Sequence, residues 1–193
     1  MSDIQLTTPA IKQQCLQTHT TALLAYDLGT LTAAQQSAGS GRINGKNIVE
    51  LNTTITPRLP TSKILITVSL AYHAYYPAYG AWYLVRNIGG TRTEIGSPEG
   101  PYGSRPYGFA TFGYNSDQPV SGGTPTKSVS TNINLKRSFV DTPNTLLPVT
   151  YELWAYSTTQ NQNYVYINRT TDDADQTDDP RSTSQMILQE YFA

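Results

Sequence analysis

The sequence predicts an all-β fold: an antiparallel, jelly-roll-like β-sandwich with an extended N-terminal arm. Three observations point there. The 193 residues include 14 Tyr, 14 Gly and 12 Pro but only 14% charged residues. Tyr suits a pleated, half-buried surface, and Gly and Pro punctuate turns. From residue 47 onward, short runs alternate apolar and polar residues with period two, and no helical stripe is sustained. Finally, β-rich runs at 149–156 and 164–169 are followed by an acidic loop and a last β-rich run ending near residue 190. A strand there ties an otherwise loosely held terminus into a sheet.

Taken in order, residues 1–45 read as an N-terminal attachment arm and 46–193 as the β-sandwich domain. The arm is rich in Gln and small residues, and Ser37-Ala38-Gly39-Ser40-Gly41 reads as a flexible joint. Residues 47–56 read as one half-buried strand, with Val49, Leu51, Thr53 and Ile55 on one side and Glu50, Asn52 and Thr54 on the other. Pro57 and Pro60 end it, since proline lacks the ladder donor. The run 63–71 is almost continuously apolar, and the shared parity of Ile64, Ile66, Val68 and Leu70 places them on one inward face. A strand over 81–87 follows, then a loop-rich stretch over 89–107 and further alternation over 127–140. No internal repeat interrupts the pattern.

Composition narrows the function. A formal net charge of −1 gives no footprint for a phosphate backbone, so nucleic acid is not expected as a partner. The lone Cys15 leaves no internal disulfide framework and no Cys-based zinc site. No apolar run reaches the ~18 residues of a membrane span, and the first residues lack a signal-peptide pattern. Synthesis in the cytoplasm without membrane insertion is the expectation.

One resemblance emerges from an ordered set of motifs. These are Thr56-Pro57, the run Thr61-Ser62-Lys63-Ile64-Leu65-Ile66-Thr67-Val68-Ser69, and Leu84-Val85-Arg86. Asp141-Thr142-Pro143-Asn144-Thr145 with Tyr151, Tyr166-Ile167-Asn168-Arg169 and the ending Arg181 to Glu190 complete it. Across residues 47–190 the chain resembles the C-terminal β-sandwich domain of tailed-phage virion structural proteins, notably tail-fibre and appendage proteins of marine and cyanobacterial phages. Gln185, Ile187, Gln189 and Tyr191 depart from the family's last strand, where the alternation of faces is expected to be less clean. The resemblance implies a virion location, a homotrimer, other virion proteins (tail, baseplate or capsid) bound through residues 1–45, and no cofactor. A host-surface polysaccharide or protein is the implied outer partner. The alternative is a capsid decoration or cement protein, and a polysaccharide depolymerase ranks behind both.

The candidate binding residues are aromatic: Tyr72, Tyr75, Tyr76, Tyr79 and Trp82, with Tyr102 and Tyr107 in the next loop. Tyr and Trp give large contact area at low entropic cost, which suits a receptor face, although a subunit interface or a lid on the sandwich draws on the same residues. The cluster reads as a loop between two strands, facing outward. The acidic run from Asp172 to Asp179 reads as a solvated loop, lacking the glycine and terminal Glu of a calcium loop. His19 and His73 form no zinc pair, and no GxSxG nucleophile elbow or phosphate loop occurs. No catalytic residue, metal site or cofactor is expected.

Overall fold

The computed structural model describes residues 15–23, 26–30, 45–74, 80–98, 107–112, 133–157, 164–169 and 181–192. Within them, β5 (Lys63–Ala74) is the spine of one sheet. Its Ile64, Ile66, Val68 and Leu70 are fully buried, as their parity requires. Each contributes roughly 1.5–3 kcal/mol of apolar burial. Along one edge of β5 runs β9 (Ile133–Asp141). Along the other lie, in tandem, β12 (Ser184–Tyr191) and β11 (Tyr164–Ile167).

The second sheet centres on β6 (Gly80–Ile88) and β10 (Val149–Ser157), paired antiparallel throughout. β7 (Thr91–Ile95) and β8 (Ala110–Phe112) share the far edge of β6. β3 (Lys46–Asn47) and β4 (Thr53–Ile55) share the far edge of β10. The inner faces of the two sheets enclose the core, in which Trp82, Leu84, Tyr151 and Leu153 meet the β5 aliphatics, Met186 and Leu188. The all-β sandwich expected from the sequence is therefore the fold.

Three expectations are corrected. The supposed arm contributes two strands to the first sheet: β1 (Cys15–Leu23) pairs with β12, and β2 (Tyr26–Thr30) pairs with β11. Leu23 is the apolar anchor of β1, buried in the core, so the division at residue 45 does not separate arm from sandwich. The remainder of residues 1–44 lies outside the described residues. Next, 47–56 is not one strand: a 3-10 turn over Val49–Leu51 interrupts it. That turn shifts the parity, so Ile48 is buried and Val49 is exposed. Finally, β12 alternates without a break, with Ser184, Met186, Leu188 and Glu190 buried. Its departures from the family pattern, Gln185, Ile187, Gln189 and Tyr191, all fall on the opposite face.

Two polar ties hold the sheets in register. Asp141, at the end of β9, accepts hydrogen bonds from Arg86 of β6 (2.9 Å) and from the Tyr151 hydroxyl of β10 (2.8 Å). This joins one sheet to the other. Burial and the neighbouring Asp141 push the Tyr151 phenol far above its usual range, so it stays a donor. Asn168 forms the second tie, in the left-handed conformation that Asn tolerates (φ 64°). Its amide donates to the Leu23 carbonyl (2.8 Å), and its side-chain oxygen accepts from the Ser184 hydroxyl (2.6 Å). The ends of β1, β11 and β12 are thereby fixed at one point.

Candidate functional site

The aromatic cluster divides by strand parity. β5 continues to Ala74 and β6 begins at Gly80, so the expected loop is shorter than the sequence reading had it. Tyr72 and Trp82 lie in these strands and point inward. Their rings meet edge-to-face at 5.2 Å, and Phe112 packs on both. Trp82 is fully buried, and burial pushes the Tyr72 phenol above its usual range. These two candidates belong to the core because odd and even positions of a strand face opposite ways. Tyr107 is half-buried, beside Gly108, which lies against the Tyr83 ring. Tyr75, Tyr76, Tyr79 and Tyr102 fall outside the described residues, as does the acidic run 172–179.

The opposite parity builds a different group on the outer face of the second sheet. From β6 come Tyr83, Val85 and Asn87, and from β10 come Thr150, Glu152, Trp154 and Tyr156. A two-residue turn at Gly89 and Gly90, both at positive φ, folds β7 back so that Arg92 stands opposite Asn87. Positive φ at both central positions matches the twist of a tight hairpin and favours glycine.

Glu152 organises this face. Its side chain is only 2% exposed although it points away from the core. One carboxylate oxygen accepts from the Asn87 amide (2.7 Å); the other accepts from the Trp154 indole N–H (2.7 Å) and Arg92 Nε (3.0 Å). Donors on three strands thus saturate a buried charge, which would otherwise be costly. The Arg92 guanidinium lies 5.3 Å from the centre of the Trp154 ring, within cation–π range. Tyr156 stacks on Tyr83 with ring centres 5.0 Å apart. Trp154 and Tyr156 remain half-buried, and Arg92 is 43% exposed. The result is an aromatic and guanidinium cluster packed against a second, smaller apolar core of Ala81, Tyr83 and Val85, all three fully buried. Trp154, Tyr156, Arg92 and Glu152 were not singled out from the sequence. The signal was there, in the alternation of Thr150, Glu152, Trp154 and Tyr156 along 149–156.

Within the cluster the rings and donors serve one another: Arg92 covers Trp154, Tyr156 stacks on Tyr83, and three donors converge on Glu152. Among the described residues no cluster of His, Cys, Asp or Glu is placed to hold a metal ion. None of the helices among them is long and apolar enough to cross a membrane. No protein-family model matches the chain, and no curated protein sequence matches it.

Proposed function

We propose that the chain is a non-enzymatic structural component of a tailed-phage particle, of tail-fibre or appendage type, that contacts the host surface. What supports this reading is where the shared motifs lie. Arg86 from one quoted motif and Asp141 and Tyr151 from another make the bridge between the sheets. Asn168 and Ser184, from two others, make the junction of β1, β11 and β12. The residues that carry the resemblance are therefore the ones that specify the sandwich. The outer cluster of Glu152, Trp154 and Arg92 lies apart from those motifs.

In this reading the protein is a homotrimer attached through its N-terminal region, and repeated weak sites act together. Avidity then exceeds the affinity of a single site, by 10²–10⁴-fold as an order of magnitude. Imaging particles that carry a tagged copy tests the location. Label on the tail or its appendages is expected; label spread over the head would replace this reading with capsid decoration. Light scattering of dilute protein tests the assembly, since a 21.2 kDa species would exclude the trimer.

A further inference from the structure

We propose that the outer edge of β9 is a docking strand for an extended, acidic segment of a partner protein. The segment joins the first sheet by antiparallel strand addition, with its carboxylates against Lys136 and Arg137.

The edge itself is long and regular. β9 pairs with β5 over an unbroken ladder, from Asp141 opposite Ile64 to Ile133 opposite Tyr72. Among the described residues no strand pairs with its other side. An antiparallel strand turns the N–H and C=O groups of alternate residues to each side, so the outer edge carries a row of donors and acceptors open to a further strand. Ile133, Asn134, Lys136, Arg137, Ser138 and Val140 are exposed along it.

Native sheets blunt such edges with a proline, a bulge, a very short strand or charge. β9 runs for nine residues with no proline and no bulge, which leaves charge alone. Its two cations stand opposite Ser69 and Val68 on β5, so the sheet sets no carboxylate across from either. Neither joins an ion pair among the described residues.

Those charges decide the occupant. A second copy docking antiparallel about the middle of the strand would set Arg137 against Arg137, and like charges directly opposite are destabilising. An acidic strand turns that repulsion into attraction, and the Arg137 guanidinium can take a carboxylate in bidentate fashion.

Parity supplies the rest of the recognised pattern. Leu135, Arg137 and Phe139 share the inward side, opposite Leu70, Val68 and Ile66. Leu135 and Phe139 are partly buried against the core, and Phe139 closes on Gly96, where a Cβ would come within 3.2 Å of the ring. An added strand extends this rim with apolar residues opposite Phe139 and Leu135 and an acid opposite Arg137. On the outward side it sets a small polar residue opposite Ser138 and a second acid opposite Lys136. In chain order the partner therefore reads apolar, polar, acid, acid, apolar.

The test uses the full chain and a labelled peptide with the core Val-Thr-Glu-Glu-Val, beside a counterpart in which Lys replaces both Glu. Fluorescence anisotropy should show saturable binding of the acidic peptide, weakened by salt, and none of the basic one. Hydrogen exchange in the complex should show new protection at alternate residues of β9, the period-two mark of a second ladder. Lys136→Glu combined with Arg137→Glu should weaken the acidic peptide about tenfold or more and admit the basic peptide instead. That exchange of preference separates altered recognition from lost fold.

No saturable binding of the acidic peptide would overturn the proposal. So would binding that the double variant leaves unchanged, or new protection confined to other strands. Protection of both parities of β9 before any peptide is added would show that a copy of this chain already holds the edge, and would overturn it too. The attachment reading fails separately: a protein missing from particles sinks that reading and leaves the docking strand standing.

Discussion

The two faces of the second sheet carry the same chemical parts in opposite service. Each has a tryptophan, and each has a carboxylate bonded to an arginine and to an aromatic N–H or O–H. On the inner face, Trp82 is enclosed by Tyr72 and Phe112, and Asp141 reaches across from the other sheet to Arg86 and Tyr151. On the outer face, Trp154 lies half-buried under Arg92, and Glu152 binds only side chains of its own sheet. The inner set joins the two layers across the shared core. Among the described residues the outer set bonds within its own sheet, where Trp154 and Tyr156 pack on the smaller cluster of Ala81, Tyr83 and Val85. Residue type therefore does not decide which cluster a side chain joins here; parity along the strand does.

The largest expected contrast comes from truncating the two tryptophans. Trp82→Ala should cost ~3–5 kcal/mol through lost transfer energy and the cavity left behind. Trp154→Ala should cost less, about 1–2 kcal/mol, since Trp154 is half-buried against the smaller cluster of Ala81, Tyr83 and Val85. Thermal and urea unfolding of the two variants measure this directly, and equal losses would erase the distinction between the faces.

The carboxylates give the next contrast. Asp141→Asn removes the charge that pairs with Arg86 and should cost about 3 kcal/mol, near the lower end for breaking a buried pair. Glu152→Gln should cost less, about 1 kcal/mol, because Arg92 regains water when released. Its clearer signature is a change in Trp154 fluorescence, since the indole N–H loses its charged acceptor.

Acid provides a third probe, acting on the first sheet. Burial by itself would raise the Glu190 carboxyl. The Ser62 hydroxyl, the Arg58 backbone N–H, the Gln17 amide and the Arg58 charge outweigh that and hold it below the usual range. Its contribution to stability is therefore complete above the ordinary glutamate value, about 4.3, and is lost as pH falls through the lowered folded value. The pH dependence of unfolding should steepen below about pH 4.3 in the native protein and flatten there in Glu190→Gln. Hydrogen exchange should show β1 opening first, since Gln17 bonds both Glu190 (2.6 Å) and the Thr56 carbonyl (2.8 Å).

The smallest effect sharpens the boundary of the core. Val49→Thr should change stability by less than ~0.5 kcal/mol, as an exposed position does. A loss of ~1 kcal/mol or more would restore the uninterrupted strand over 47–56.

How much of this was legible in the sequence follows from the same physics. Strands with one apolar parity announced themselves, as Ile64, Ile66, Val68 and Leu70 did. β1 did not, because Leu23 is its anchor in the core and the stretch before it is mainly polar, Gln17, Thr18, His19, Thr20 and Thr21. Its place depends on the ladder to β12, a partner that no local pattern reveals. The turn at Val49–Leu51 hid behind an alternation that continued through it. The aromatic run misled in another way: β6 buries Ala81, Tyr83 and Val85 as well as Trp82 and Leu84, so both parities are apolar and period two disappears. The outer cluster needed a third strand, since Arg92 reaches Glu152 only after the Gly89-Gly90 turn folds β7 back.

The pairing of β1 with β12 also sets a timetable for the newborn chain. The Gln17–Glu190 hydrogen bond spans 173 positions. At roughly 5–20 residues per second, β1 waits on the order of 10–35 seconds for its partner to be made. Until then the edge of β5 that receives β12 is bare, with Ile66 and Val68 lacking Leu188 and Met186 across the ladder. Exposed strand edges of that kind recruit one another. Ribosomes that stop short of Ser184 therefore release chains destined for aggregates rather than slightly weakened domains. Expression yield, more than the melting point of whatever survives, is where damage to the last strand will register.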